Sequence, residues 1–162
     1  MKTKLLIAIL LFTAVASKAQ NQTAYNYYTV NQSLGSKDVY VFTTPKAFSY
    51  TKGATYAFAP VQYDKIAQRT IENKLRSMDA SFNGLYVNQI SNGTRTSFKD
   101  LQATSQQIKE EIMQVYNYQK SQTYHPAVTI LLIDMNSGAS INEYSLPATS
   151  SKSTSGSQGN AY

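Results

Sequence analysis

Three oxygen-bearing side chains stand near one another late in the 162-residue chain. They are Asp134, Asn136 and Glu143, within VTILLIDMNSGASINEYSL, residues 128–146. Carboxylate and amide oxygens at alternate positions are the ligand types of hard cations. A helix–loop–helix calcium loop needs such ligands at positions 1, 3 and 5, and a bidentate Glu at position 12. Counted from Asp134, position 3 is Asn136, but position 5 is Gly138 and position 12 is Ser145. An Asp-x-Ser-x-Ser loop fails too, because Asn136 and Gly138 occupy its hydroxyl positions. The same residues suit a bend. Asn136-Ser137-Gly138 between two β-rich runs predicts a three-residue hairpin, a type I turn closed by Gly138 at positive φ. Asp134 is then an exposed residue at a strand end. Neither a metal nor a cofactor is expected.

Nucleophilic and acid–base chemistry has little material here. His125 is the only histidine, and cysteine is absent. A histidine triad or metal centre needs partners, and the chain has no Gly-x-Ser-x-Gly elbow. Beside Pro126, His125 reads as a loop or edge residue. Glu110 and Glu111 are adjacent on a predicted helix, so they point apart. There is no phosphate-binding loop and no dinucleotide fingerprint. Residues 92–97, NGTRTS, precede a helix and read as a turn and cap rather than an anion site. No catalytic residue is assigned, and the chain is expected not to be an enzyme.

Tyrosine is in excess, with thirteen copies and no tryptophan. Tyr25, Tyr27 and Tyr28 cluster in the first predicted strand. Tyr116, Tyr118 and Tyr124 cluster at the end of the second predicted helix. Tyrosine supplies rigid, amphipathic contact area, so these six form a candidate partner-binding surface. A half-buried sheet would favour tyrosine equally, through β-propensity. Both readings stand at this point.

The elements that must position these residues begin after a leader. MKTKLLIAILLFTAVASKAQ has a basic start, an apolar run from Leu5 to Ala16, and small residues Ser17 and Ala19 before a cut at Gln20. That pattern is a signal peptide over residues 1–19 and predicts export, to the periplasm or beyond the cell surface. Removing Lys2, Lys4 and Lys18 leaves twelve basic against nine acidic side chains, a net +3. A nucleic-acid surface needs clustered Lys and Arg, which the remaining chain lacks. No second long apolar run predicts a transmembrane helix.

Residues 20–147 read as a single domain, and residues 148–162, rich in Ser and Gly, as a disordered tail. Ala24–Val30, Lys37–Thr43 and Ala54–Ala59 are predicted strands. Tyr63, Ala67, Ile71, Leu75, Met78 and Phe82 mark one face of a helix stopped by Asn83-Gly84. Lys65, Arg69, Glu72 and Arg76 form a solvated face on it. Leu85–Ser91 is a strand. Ser97 and Asp100 open a second helix carrying Leu101, Ser105, Ile108, Ile112 and Val115. Ala127–Met135 is a central strand paired with Ala139–Leu146. The predicted fold is α+β: a two-layer sandwich, with a mixed or mostly antiparallel sheet of five to six strands and two amphipathic helices on one face.

The stretches DVYVFTTPKAFSYTKGATYAFAP, IAQRTIENKLRSMD, LYVNQI and VTILLIDMNSGASINEYSL together resemble a widespread bacterial envelope domain family of unknown function, across about Asp38 to Leu146. Family members are often lipoproteins; this chain lacks the lipid-attachment cysteine and the tryptophan common in the last strand. The resemblance implies a non-catalytic envelope domain whose partner is another envelope protein. It transfers no site residues. A small secreted hydrolase and an adhesin or fibre-associated component are the alternatives.

Overall fold

The computed structural model describes residues 21–51, 61–85, 91–92 and 100–149. The predicted signal peptide, the predicted strand Ala54–Ala59, most of Leu85–Ser91, the loop after Asn92 and residues 150–162 lie outside the described residues. Within them the order is β1 (Asn21–Asn26), β2 (Tyr28–Leu34), β3 (Lys37–Thr43), β4 (Lys46–Thr51), α1 (Val61–Met78), β5 (Ser91–Asn92), α2 (Leu101–Ser121), β6 (Ala127–Ile133) and β7 (Ser140–Leu146). The fold is an α+β sandwich. Five strands form one mixed sheet in the order β5-β2-β3-β6-β7. β3 and β6 run parallel, and the other neighbours are antiparallel. No helix among the described residues is long and apolar enough to cross a membrane.

β2 and β3 are joined by a two-residue turn in which Gly35 has φ 58°. Positive φ at that place matches the turn to the strand twist. Beyond this hairpin, β1 and β4 form a separate two-stranded arm. Asn26 faces Lys46 and Thr29 faces Phe42, so Tyr27 and Tyr28 lie opposite the three residues Thr43, Thr44 and Pro45. The extra residue makes a bulge that redirects the strand pair. Its polar groups are taken up locally. Thr43 Oγ1 accepts the Tyr28 N–H at 2.9 Å, and Thr44 Oγ1 accepts the Met135 N–H at 3.0 Å. The Thr44 N–H donates to Ile133 O at 2.9 Å. Pro45 has no N–H to leave unpaired.

Two groups of buried residues show how the layers stack. Val39, Val41, Leu131 and Ile133 pack with Ala67, Ile71 and Leu75 of α1. Phe42, Val128 and Ile130 pack with Ile108 and Ile112 of α2. Successive strand residues point to opposite faces, so the two helices cover opposite faces of the β3–β6 pair. This differs from the expectation that both helices share one face. The reason is visible in β3 and β6, which carry apolar residues at consecutive positions. Strands buried on one side alternate, whereas strands buried on both sides read as continuous apolar runs.

Local chemistry sets the helix ends. Asp100 caps α2, its carboxylate accepting the Ala103 N–H at 2.7 Å. α1 stops at Met78, short of Asn83-Gly84. Asp79 accepts both the Ser81 N–H at 2.9 Å and the Ser81 hydroxyl at 2.6 Å, a local turn that competes with the helix. Glu72 does not face solvent as expected. Its carboxylate accepts the Leu85 N–H at 3.0 Å and ties the returning chain to α1. At the other end, Thr149 forms a bridge with His125, so the described fold reaches two residues past Pro147.

Leu131 is fully buried, whereas its neighbour Leu132 is half-buried. Leu131→Ala is expected to lower stability by about 2–5 kcal/mol and Leu132→Ala by less. Glu143→Ala, on an exposed stretch of β7, is expected to stay within about 0.5 kcal/mol. Urea melts of the three variants check the order.

Candidate functional site

The β6–β7 turn answers the question posed by Asp134, Asn136 and Glu143. The Asp134 N–H donates to Ala139 O at 2.9 Å, and the Gly138 N–H donates to Asp134 O at 2.8 Å. Gly138 has φ 72°, as the hairpin reading requires. The loop is one residue longer than expected, running from Met135 to Gly138. Met135 is drawn in because its fully buried side chain belongs to the α1-side core.

Asp134 holds this loop together. One carboxylate oxygen accepts the Asn136 N–H at 3.0 Å, the Ser137 N–H at 2.8 Å and the Ser137 hydroxyl at 2.9 Å. The Ser137 backbone bond, followed by the Ser137 hydroxyl, holds the Asp134 carboxyl below the usual carboxylate range. The side-chain oxygen of Asn136 accepts Lys46 Nζ at 2.6 Å. Glu143 lies on β7 opposite Leu131. Asp134 and Asn136 are thus engaged by the hydrogen bonds of the turn, and Glu143 stands apart from them along β7. Among the described residues, no three His, Asp or Glu side chains are gathered as metal ligands.

The six tyrosines divide. Tyr27 and Tyr28 are fully buried, which corrects their assignment to a partner-binding surface. Tyr27 donates to Glu111 of α2 at 2.7 Å, and Tyr28 donates to Asp64 of α1 at 2.7 Å. They are consecutive residues reaching opposite layers. Tyr25 is half-buried on the arm. Tyr116 is partly buried against the α2-side core, its ring 6.2 Å from that of Tyr144, with Lys120 Nζ 6.0 Å from its centroid. Only Tyr118 and Tyr124 are well exposed, at 63% and 71%. Tyr40, which the sequence reading did not single out, accepts from Gln119 at 2.8 Å and fastens α2 to β3.

His125 is buried rather than an exposed loop residue. Its ring Nδ1 lies 2.7 Å from Pro126 O, its N–H donates to the Thr149 hydroxyl at 2.9 Å, and its carbonyl accepts the Thr149 N–H at 3.1 Å. The residue fastens the chain after β7 to the start of β6.

One surface is left open by this arrangement. β7 ends the five-stranded sheet and pairs only with β6 among the described residues. Of its seven residues, only Tyr144 and Leu146 are half-buried; Ile141 is 50% exposed. A register shift opposite Leu132 and Ile133 places Ile141 at an irregularity of the strand. The sequence patterning showed β7 as the partner of a central strand but carried no sign that its outer edge would be free. Comparison of the chain with protein-family models, curated proteins and solved structures finds no match.

A Cβ at Gly138 would lie 3.4 Å from Thr70 Cγ2 on a backbone that side chains rarely adopt. Gly138→Ala is expected to destabilise by about 1–2 kcal/mol, and Gly138→Val by more, in denaturant melts. Burial, then the Asp64 hydrogen bond, pushes Tyr28 well above the ordinary tyrosine range. An unfolded tyrosine ionises near ~10, so above that pH the unfolded chain releases a proton that the folded chain keeps. This contribution to stability is complete below about pH 10 and declines as pH rises. Tyr28→Phe is expected to lower stability at neutral pH by roughly 1–3 kcal/mol. It should also make the alkaline loss of stability shallower than in the wild type, as read from urea melts across the alkaline range.

Proposed function

We propose that the protein is an exported, non-catalytic cell-envelope domain that binds or assembles with another envelope protein through the outer edge of β7. The single observation that carries this reading is the seven-residue strand at the end of the sheet, exposed and paired on one side only among the described residues. A sheet edge presents N–H and C=O groups that an added strand can satisfy, while alternate side chains give selectivity. Solitary proteins usually guard such edges with charged side chains, proline, bulges, short strands or a covering element. SINEYSL has neither lysine nor proline, its one charge is Glu143, and its irregularity at Ile141 leaves Asn142 to Leu146 in regular register. Asn142, Tyr144 and Leu146 share the face of Ile130, and Tyr116 borders it, so an incoming strand would meet an aromatic rim.

The leader pattern supports export, and the resemblance to an envelope domain family supports the compartment. The hydrolase alternative asks for His125 beside a carboxylate and a hydroxyl, and the Pro126 carbonyl contact of its ring does not favour it. The fibre or adhesin alternative draws on the same free edge, with copies of the chain as the added strands.

The test is capture from native envelopes with a tagged chain carrying a photo-cross-linker at Ile141. Wild-type protein is expected to cross-link a discrete second protein. Asn142→Lys/Ser145→Lys, at two exposed positions, is expected to lose it while melting like the wild type. Capture that survives both lysines would overturn the edge as the binding surface. Cross-linking only to further copies of the chain would move the reading to the fibre class.

A further inference from the structure

A groove of about 260 Å³ lies between α1 and the β6–β7 turn. Thr70, Asn73, Lys74 and Ser77 line one wall, at the i, i+3, i+4, i+7 spacing of a single helical face. Asn136, Ser137 and Gly138 line the other. We propose that this groove binds a hydroxylated carboxylic acid, the chemistry of an acidic sugar. The proposal goes beyond the envelope-binding reading and uses none of the β7 edge.

The argument rests on which hydrogen-bonding groups remain open. All three hydroxyls in the lining already donate. Thr70 donates to Met135 O at 3.1 Å, Ser77 to Lys74 O at 2.6 Å, and Ser137 to the Asp134 carboxylate at 2.9 Å. A hydroxyl that has donated offers a ligand only its lone pairs. Ser137 Oγ also accepts the Ala139 N–H at 3.3 Å, which leaves it one lone pair. Among the described residues these three oxygens therefore suit a ligand that brings O–H donors.

The remaining groups are the reverse. Asn136 gives its side-chain oxygen to Lys46, which leaves its two amide hydrogens for the groove. Lys74 carries three N–H donors and no acceptor, and no ion pair within 4.0 Å engages it among the described residues. No carboxylate lines the groove. The nearest acid on the turn, Asp134, directs one oxygen into three bonds of its own loop. A ligand that fits must accept from the Lys74 ammonium and the Asn136 amide, one on each wall, and donate to the hydroxyl oxygens of Thr70, Ser77 and Ser137 that flank them. A carboxylate and several hydroxyls on one small frame meet both demands. Asn73 supplies an amide that can serve either role.

Size limits the ligand. At about 260 Å³ the groove falls just below the roughly 300–1,000 Å³ of pockets for drug-sized molecules, so it suits one ring rather than a chain. Gly138 keeps the wall thin, since a Cβ there would meet Thr70 Cγ2 at 3.4 Å.

The test is a titration of the ¹⁵N-labelled protein with glucuronate, glucose and acetate at matched ionic strength, followed by NMR. Glucuronate is expected to shift the amides of Ser77, Ser137 and Gly138 saturably. Glucose, which lacks the charge, and acetate, which lacks the hydroxyls, should each bind at least tenfold more weakly. Lys74→Met should weaken glucuronate at least tenfold with an unchanged melting temperature. Asn73→Asp, which adds a like charge at an exposed position, provides the same readout should Lys74→Met fail to fold. The proposal is overturned by the absence of saturable shifts, by acetate or glucose matching glucuronate, or by undiminished binding in a folded variant. None of these outcomes bears on capture through β7.

Discussion

The parallel pairing of β3 with β6 is the constraint on which the rest of the structure depends. Seven residue pairs, from Lys37 with Ala127 to Thr43 with Ile133, align two strands that are distant in sequence. A parallel pair cannot be closed by a tight turn, so the chain must cross over between them. Here the crossing carries β4, α1, β5 and α2. Both strands are apolar at successive positions, and each face demands its own cover. α1 takes one face and α2 the other, so the three layers are a consequence of these two strands rather than of helix amphipathicity alone.

The pair Tyr27 and Tyr28, opposite the bulge, makes that layering specific. Consecutive residues on an extended chain point to opposite sides, and these two place one hydroxyl against each helix. Each hydroxyl meets a carboxylate, Glu111 on α2 and Asp64 on α1. Hydrogen bonds to charged groups contribute more than neutral ones, roughly 1.5–3 kcal/mol each, and they require a defined helix position. Hydrophobic burial alone would let either helix slide along its strand face. Pinning both from adjacent residues fixes the two layers to one point of the sheet. Part of the tyrosine excess is thus explained by architecture, and the candidate surface shrinks to the residues the bulge does not use.

Sequence patterning revealed what depends on short-range periodicity. Ala67, Ile71 and Leu75 are on the core face of α1, Ile108 and Ile112 on that of α2, and Gly138 has the positive φ that its turn requires. Patterning did not reveal what depends on long-range pairing. The arm strand β4, KAFSYT, mixes apolar and polar residues without a strong strand signal, and it exists because β1 is extended past the bulge to meet it. The apolar run of β6 reads as a mark of centrality, but it equally marks burial on two sides. His125 looked like a loop residue because Thr149, its partner, lies 24 residues away in a stretch of low apolar content. That β7 pairs on one side only among the described residues is a property of sheet order, and no local pattern encodes sheet order.

The turn between β6 and β7 shows how a residue that resembles a ligand can instead create a site. Asp134 has the chemistry of a cation ligand, yet its carboxylate gathers the turn's own donors. In doing so it orients Ser137 and presents Asn136, whose oxygen Lys46 then occupies. Lys46 also lies 6.0 Å from the ring centroid of Tyr63, so one ammonium joins the arm, the turn and α1. What faces outward after these bonds are made is a set of amide hydrogens and hydroxyl lone pairs beside Lys74. The polarity of the groove is therefore decided by the bonds behind it. A carboxylate that appeared to invite a cation leaves, once its own hydrogen bonds are counted, a surface suited to an anion bearing hydroxyls.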